Sequence, residues 1–142
     1  MNVNWNASSA AAGTGSATVT GVSSAYDLTG SLYQCFNLPP AQPSQTINLT
    51  LNTGLVTNDS SGSTCSVTAY LLNQSTGTET NLGTWSYSAA SQTLAWTGRT
   101  VNITSYVSGG GDFSLRLDLR VTNGSGIARS TTIYVDSVKI IA

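Results

Sequence analysis

The sequence contains no histidine and few charged residues of any kind. Only 8% of its 142 residues are charged, whereas an average globular protein has about 25%. Five cations against six anions give no positive field that would attract phosphates, which disfavours a nucleic-acid-binding protein. Because histidine is the commonest general base and a common metal ligand, its absence disfavours most enzymes and a zinc site.

Long apolar runs are also missing. The longest runs fall far below the roughly 20 residues that cross a bilayer, so we expect no membrane insertion. The first twenty residues lack the basic start and apolar stretch of a signal peptide. We therefore expect a mature or excised extracellular or cell-surface domain, or, as the alternative, a virion protein made without export.

The chain is instead rich in Ser (21), Thr (21) and Asn (11), with apolar residues at alternating positions. The clearest alternation covers residues 112–122, where an unbroken apolar row from Phe113 to Val121 faces a polar row from Ser114 to Thr122. Such a strand has one face in the core and the other in water. Turn residues recur throughout, and no stretch has convincing helical periodicity. The sequence predicts an all-β antiparallel sandwich of jelly-roll type with about nine strands.

Residues 1–16 are small and polar and predict an N-terminal arm or edge strand, followed by a single β-sandwich domain over 17–142. The predicted strands cover 17–22, 31–38, 45–56, 64–72, 78–88, 93–97, 99–107, 112–122 and 127–141. In the last strand Ile133 and Val135 have one parity and Val138 and Ile140 the other. A β-bulge near Asp136 would explain this change of phase.

The two cysteines, Cys35 and Cys65, fall in separate predicted strands, with phases that could place both on buried faces. In an exported protein this arrangement predicts a disulfide, with two buried thiols as the alternative. The bond would close a loop of about 30 residues and contribute roughly 3–4 kcal/mol.

Several segments resemble the galactose-binding-like β-sandwiches, a group that includes many carbohydrate-binding modules. They are GDFSLRLDL (111–119) with STTIYVDSVKI (130–140), GSLYQCFNLP (30–39) with INLTL (47–51), and LAWTGRTVNIT (94–104). The resemblance implies two facing antiparallel sheets and sugar binding on a concave face or on apical loops. It also implies a structural calcium held partly by Asp136, although the opening MNVNWNAS lacks the acidic residue that usually assists.

The candidate sugar-binding residues are aromatic or carry guanidinium groups: Trp85, Tyr87, Tyr106, Arg116 and Arg120. Trp85 and Tyr87 share one strand face and would form a stacking platform if exposed; the alternative places Trp85 in the core. Tyr106 has an outward phase. The row containing Arg116 and Arg120 is either the polar wall of a cleft or a solvated face held by cross-strand pairs.

For catalysis, paired carboxylates are the only chemistry left. Asp112 and Asp118 are separated by about 20 Å along one strand, beyond the roughly 5–9.5 Å of glycosidase pairs. We therefore expect a non-catalytic extracellular carbohydrate-binding module whose partner is a polysaccharide or glycan. The alternative is a structural subunit of a virion (decoration or fibre) or cell-surface filament, which assembles with its own copies through the N-terminal arm and sheet edges.

Overall fold

Nine strands and one helical turn form the part of the chain that the computed structural model describes, residues 4–6, 16–21, 26–57, 63–88, 92–123 and 131–142. The strands are β1 (Asn4–Asn6), β2 (Ser16–Gly21), β3 (Tyr26–Leu38), β4 (Asn48–Thr57), β5 (Ser63–Asn73), β6 (Thr78–Ser88), β7 (Gln92–Asn102), β8 (Gly111–Asn123) and β9 (Thr131–Ile141). Helix α1 (Thr104–Val107) precedes β8. The predicted all-β class is confirmed. No helix in these ranges has the length and apolar character needed to cross a membrane.

The strands form two antiparallel sheets that pack face to face. The five-stranded sheet has the order β1-β2-β9-β4-β7, and the four-stranded sheet has the order β3-β8-β5-β6. Strand β8 is central in the second sheet, where it pairs with β3 over its whole length and with β5 on its other side. This order brings together strands that are far apart in the chain.

The core fills the space between the sheets because every second side chain of each strand points inward. The apolar side chains of β8 from Phe113 to Val121 are at most 5% exposed. They meet buried residues of β4, β5 and β9, such as Leu49, Val67 and Ile133. The alternation that predicts β8 therefore places one face in the core and turns the other outward.

The segment 99–107, predicted as a strand, is only partly one. Residues up to Asn102 belong to β7, which also includes the predicted strand 93–97, and Thr104–Val107 is helical. The Asn102 side-chain oxygen accepts the Thr104 backbone N–H at 3.0 Å, and the Thr104 hydroxyl accepts the Ile47 N–H at 2.8 Å. These bonds turn the chain away from the sheet. Four residues are too few to show helical periodicity in a sequence.

The predicted bulge in the last strand is confirmed. Thr50 lies opposite Lys139 and Asn52 opposite Asp136, so β9 has one residue more than β4 in this interval. The extra residue is accommodated at Ser137, which has a φ of 55°. The Asp136 carboxylate accepts the backbone N–H of Ser137 at 2.6 Å.

The predicted disulfide is wrong: Cys35 and Cys65 are free thiols. They lie on opposite sides of β8, where Cys35 faces Ser114 and Cys65 faces Val121. The two positions differ by seven residues along β8, about 23 Å, whereas a disulfide needs Cα atoms within about 7 Å. Cys35 is also exposed and Cys65 buried. Strand phase alone does not reveal which strands are neighbours, and this caused the error.

Candidate functional site

A groove of about 1140 Å³ lies on the outer face of the four-stranded sheet. Six of its thirteen lining residues are serines or threonines, here called the hydroxyl floor: Thr29, Thr64, Ser66, Thr68, Thr84 and Ser86. These residues occupy the outward positions of β3, β5 and β6, between inward positions that fill the core. The alternation that builds the core therefore also places the hydroxyl groups side by side on the opposite face.

Cross-strand register arranges the floor in rows. In one row Thr29 faces Arg120, which faces Ser66 on its other side. In the next row Asp118 faces Thr68, whose hydroxyl lies 3.0 Å from that of Thr84. With strands about 4.8 Å apart, four strands give a floor roughly 14 Å wide. The floor is therefore a broad surface lined by hydrogen-bonding groups.

Arg120 and Asp27 form an ion pair in the groove. Arg120 Nε and Nη2 donate to the two carboxylate oxygens of Asp27 at 2.8 and 2.6 Å. The hydrogen bond from Arg120 holds the pKa of Asp27 below its usual 3.8, and the same bond raises the pKa of Arg120. Both side chains are more than half exposed, at 54% for Arg120 and 58% for Asp27. The pair is thus accessible to a ligand in the groove.

A row of large side chains, the aromatic wall, lies beside the groove and is made of Tyr33, Arg116 and Tyr70, of which Tyr70 lines the groove itself. The three face one another across β3, β8 and β5. The Arg116 guanidinium carbon lies 4.2 Å from the Tyr70 ring centroid, a cation–π contact. Glu79 accepts two hydrogen bonds from Arg116, at 3.0 and 3.3 Å. Tyr33 is 68% exposed and lines a separate, smaller pocket of about 350 Å³ together with Val138.

The structure brings together some of the predicted sugar-binding residues. Arg120 lines the groove, and Arg116 belongs to the aromatic wall beside it. Tyr87 contributes to the groove lining, but its ring packs against the core. Its hydroxyl lies 2.7 Å from the Thr53 hydroxyl and accepts a hydrogen bond from Arg99 at 3.2 Å.

Two predicted residues lie elsewhere. Trp85 is partly buried against the core, on the inward face of β6. Tyr106 is 46% exposed on α1 and borders a separate pocket of about 200 Å³ with Thr76, Thr78 and Thr80. The five residues therefore do not form one site.

Sequence reasoning missed Tyr33, Tyr70 and Asp27. Tyr70 lies between the buried residues Ala69 and Leu71 in the predicted strand 64–72 and so has outward parity, which alternation alone could have shown. The pairing of Asp27 with Arg120 could not be seen in the same way. The two residues are 93 positions apart and meet because β3 and β8 are neighbours.

The structure adds no support for calcium at Asp136. Among the residues with described positions, no three His, Cys, Asp or Glu side chains are grouped so that they could hold a metal ion. Calcium prefers six to eight oxygen ligands, typically with several carboxylates. The Asp136 carboxylate accepts the backbone N–H of Ser137 at the bulge, and calcium at this position stays a prediction.

Comparison with known proteins shows the fold. No family model and no curated protein matches the sequence. The solved structure "Family 16 Carbohydrate Binding Module-2" is 14% identical, with a TM-score of 0.52 over 99% of this chain and 85% of that one. A structure described as the basis for promiscuous specificity of carbohydrate-binding modules from the β-sandwich superfamily is 13% identical, with a TM-score of 0.59. That alignment covers 99% of this chain but only 52% of the other, so this chain spans about half its length.

A third solved structure, TmCBM61 in complex with β-1,4-galactotriose, is 11% identical, with a TM-score of 0.51 over 92% of this chain and 72% of that one. The resemblance inferred from the sequence is thus confirmed at the level of the fold. This chain has the β-sandwich architecture of carbohydrate-binding modules.

Proposed function

We propose that this protein is a non-catalytic carbohydrate-binding module that holds a glycan in the groove on the outer face of its four-stranded sheet. The observation that carries the proposal is the composition of this groove, a hydroxyl floor that Tyr70 lines at the side of the aromatic wall. The shared fold with carbohydrate-binding modules supports the same conclusion.

The chemistry of the groove suits a sugar. Each Ser or Thr hydroxyl can donate one hydrogen bond and accept two, which matches the mixed donor and acceptor character of sugar hydroxyls. Tyr70 lines the groove and offers apolar surface to the C–H face of a pyranose. A hydroxyl-lined groove can be desolvated by such a ligand without burying an unpaired charge.

A binding role without catalysis agrees with the separation of the two carboxylates that line the groove itself, Asp27 and Asp118. Asp27 lies opposite Thr122, four residues from Asp118 along β8, so the two backbone positions are about 13 Å apart. The carboxyl pairs of glycosidases lie about 5–9.5 Å apart. Each carboxylate is also bonded within the protein, Asp27 to Arg120 and Asp118 to the Ser31 hydroxyl at 2.7 Å.

An extracellular or cell-surface location belongs to this proposal, because polymeric glycans are found there. The partner would be a polysaccharide or glycan chain long enough to contact several rows of the floor. A single sugar ring would contact only part of this surface, so we expect affinity to increase with chain length.

Calorimetric titration with a panel of soluble polysaccharides tests the proposal. We expect saturable binding of at least one polysaccharide, and we expect Tyr70→Ala to weaken it by about tenfold or more, equivalent to about 1.4 kcal/mol. Tyr106→Ala is the matched control, since it removes a tyrosine outside the groove.

Two results would contradict the proposal. The first is no binding to any polysaccharide in the panel. The second is an equal loss in Tyr70→Ala and Tyr106→Ala, or a loss in Tyr106→Ala alone. Circular dichroism of each variant establishes that it is folded before its affinity is compared.

A further inference from the structure

The guanidinium groups at the groove are matched to carboxylates of the protein itself. Arg120 is bound at both Nε and Nη2 by Asp27, and Arg116 is bound by Glu79 through two hydrogen bonds. Arg116 Nε also lies 3.2 Å from Asp118. Two cations therefore meet three carboxylates, and the groove presents no net positive charge to a ligand.

This arrangement has a consequence for charged ligands. Asp27 occupies Nε and Nη2 of Arg120, so a carboxylate or sulfate group on a glycan that approached the remaining N–H groups would lie close to the like charge of Asp27. A glycan that carries only hydroxyl groups meets no such conflict, because it can bond to the hydroxyl floor and leave the ion pairs intact. The groove as folded therefore discriminates by charge.

The ion pair between Arg120 and Asp27 is also exposed, so a ligand in the groove would contact it directly. Arg120 is 54% exposed and lines the groove beside Thr29 and Ser66. If Asp27 were neutral, the positive charge of the Arg120 guanidinium would be uncompensated and would attract an anionic glycan. Arg116 is less accessible, at 25% exposed, and keeps Asp118 as a second partner when Glu79 is removed.

We propose that Asp27, and to a smaller degree Glu79, are specificity-determining residues that make the groove select uncharged glycans over uronate- or sulfate-bearing ones. This inference rests on the proposed function, since it concerns the same groove. Asp27 would weaken the binding of anionic glycans, in addition to any contact that it makes with an uncharged glycan.

The test compares Asp27→Asn and Glu79→Gln with Asp112→Asn, which changes the net charge equally. Asp112 is exposed on β8, six residues and about 20 Å from Asp118, and its carboxylate accepts a hydrogen bond from Asn37. The uncharged probes are β-1,4-galactan and hydroxyethylcellulose, and the anionic probe is polygalacturonate. Binding is measured at low and high salt.

We expect the wild-type protein to bind an uncharged probe and to bind polygalacturonate at least about tenfold more weakly. Asp27→Asn should strengthen polygalacturonate binding by about tenfold at low salt, Glu79→Gln by less, and Asp112→Asn not at all. High salt should remove the gain, since it screens an exposed guanidinium. Exposed ion pairs contribute little to stability, so the variants should remain folded.

The outcomes separate this inference from the proposed function. If the wild-type protein binds polygalacturonate as tightly as the uncharged probes, the specificity inference is overturned and the proposed function stands. The inference also fails if folded Asp27→Asn gains nothing, or if Asp112→Asn gains as much. If the wild-type protein binds no glycan, the proposed function fails, and the inference fails with it.

Discussion

The two faces of β8 differ sharply in burial and in the chemistry of their side chains. The inward row from Phe113 to Val121 is apolar and at most 5% exposed, whereas the outward row carries hydroxyl groups, Asp118 and two arginines. Both rows come from one continuous strand, and residues of opposite role are direct neighbours in the chain. We therefore expect that stability and glycan binding can be changed separately, by altering one parity of the strand and leaving the other intact.

The largest expected effect is the difference in reactivity between the two cysteines beside β8, of which Cys35 is exposed and Cys65 is buried. Burial raises the pKa of the Cys65 thiol from 9.0 to about 12, although a backbone hydrogen bond from Tyr87 opposes this rise. Its thiolate is therefore on the order of a thousandfold scarcer than at the ordinary value. Ellman's reagent should titrate one thiol, Cys35, in the native protein and two after denaturation. No reactive thiol under native conditions, or none after denaturation without reductant, would contradict this prediction.

A cavity in the inward row should cause a large loss of stability. Leu119 is fully buried, and Leu119→Ala should reduce the free energy of unfolding by about 2–5 kcal/mol. The loss is measured by urea denaturation. The neighbouring change Thr68→Ala on the outward face is the control and should cost less than about 0.5 kcal/mol. Equal losses in the two variants would mean that the faces do not differ as described.

Trp85, on the edge strand β6, tests whether an inward side chain contributes to stability and not to glycan binding. Its side chain packs against the core and is partly exposed, so Trp85→Ala should destabilise the protein by about 3 kcal/mol, at the low end for such changes. The glycan affinity of the folded variant should stay within about twofold of wild type. A stable Trp85→Ala protein that no longer binds glycan would instead make Trp85 part of the binding site.

Removal of a single hydroxyl from the hydroxyl floor should weaken glycan binding and leave stability nearly unchanged. Thr84→Val keeps the shape of the side chain and should change stability by less than about 0.5 kcal/mol. It should weaken glycan binding several-fold, because a net hydrogen bond is worth about 1 kcal/mol. Calorimetry measures the affinity, and Thr76→Val, outside the groove, is the control. Unchanged affinity in Thr84→Val would argue against a contact at this hydroxyl.

The smallest expected effect is that of pH. The chain has no histidine, so stability should be nearly constant from about pH 5 to 8. The pKa of Asp27 is lower in the folded protein than its usual 3.8, so its contribution is present above that value and lost as pH falls through the lowered pKa. Since Asp27 is exposed, the loss in Asp27→Asn at neutral pH should be slight. A marked decrease in melting temperature between pH 8 and 5 would contradict this account.

The alternation of apolar and polar residues within single strands was sufficient to predict much of the fold. The strict alternation over 112–122 predicts β8 and its two faces, and the change of phase after Val135 predicts the bulge at Ser137. Both signals lie within one strand, where side-chain direction has a period of two. The helical turn Thr104–Val107 was missed because a hydrogen bond from Thr104 to Asn102, and not periodicity, sets its start.

The groove required information that alternation does not contain. Its floor joins strands β3, β8, β5 and β6, and their order follows from long-range pairing. Without that order, Arg120 was only one member of a charged row, and its partner Asp27 could not be found. The wrong disulfide prediction has the same origin. Cys35 and Cys65 lie on the strands on either side of β8, but they face residues of β8 that are seven positions apart.

The most direct test of the groove is amide chemical-shift mapping by NMR during titration with a soluble uncharged polysaccharide that the protein binds. The account predicts saturable shifts at Thr29, Ser66 and Thr84, on three strands of the outer face, with little change at Tyr106 or Val138. Shifts that cluster around Tyr106 or Val138, with the floor unaffected, would contradict it.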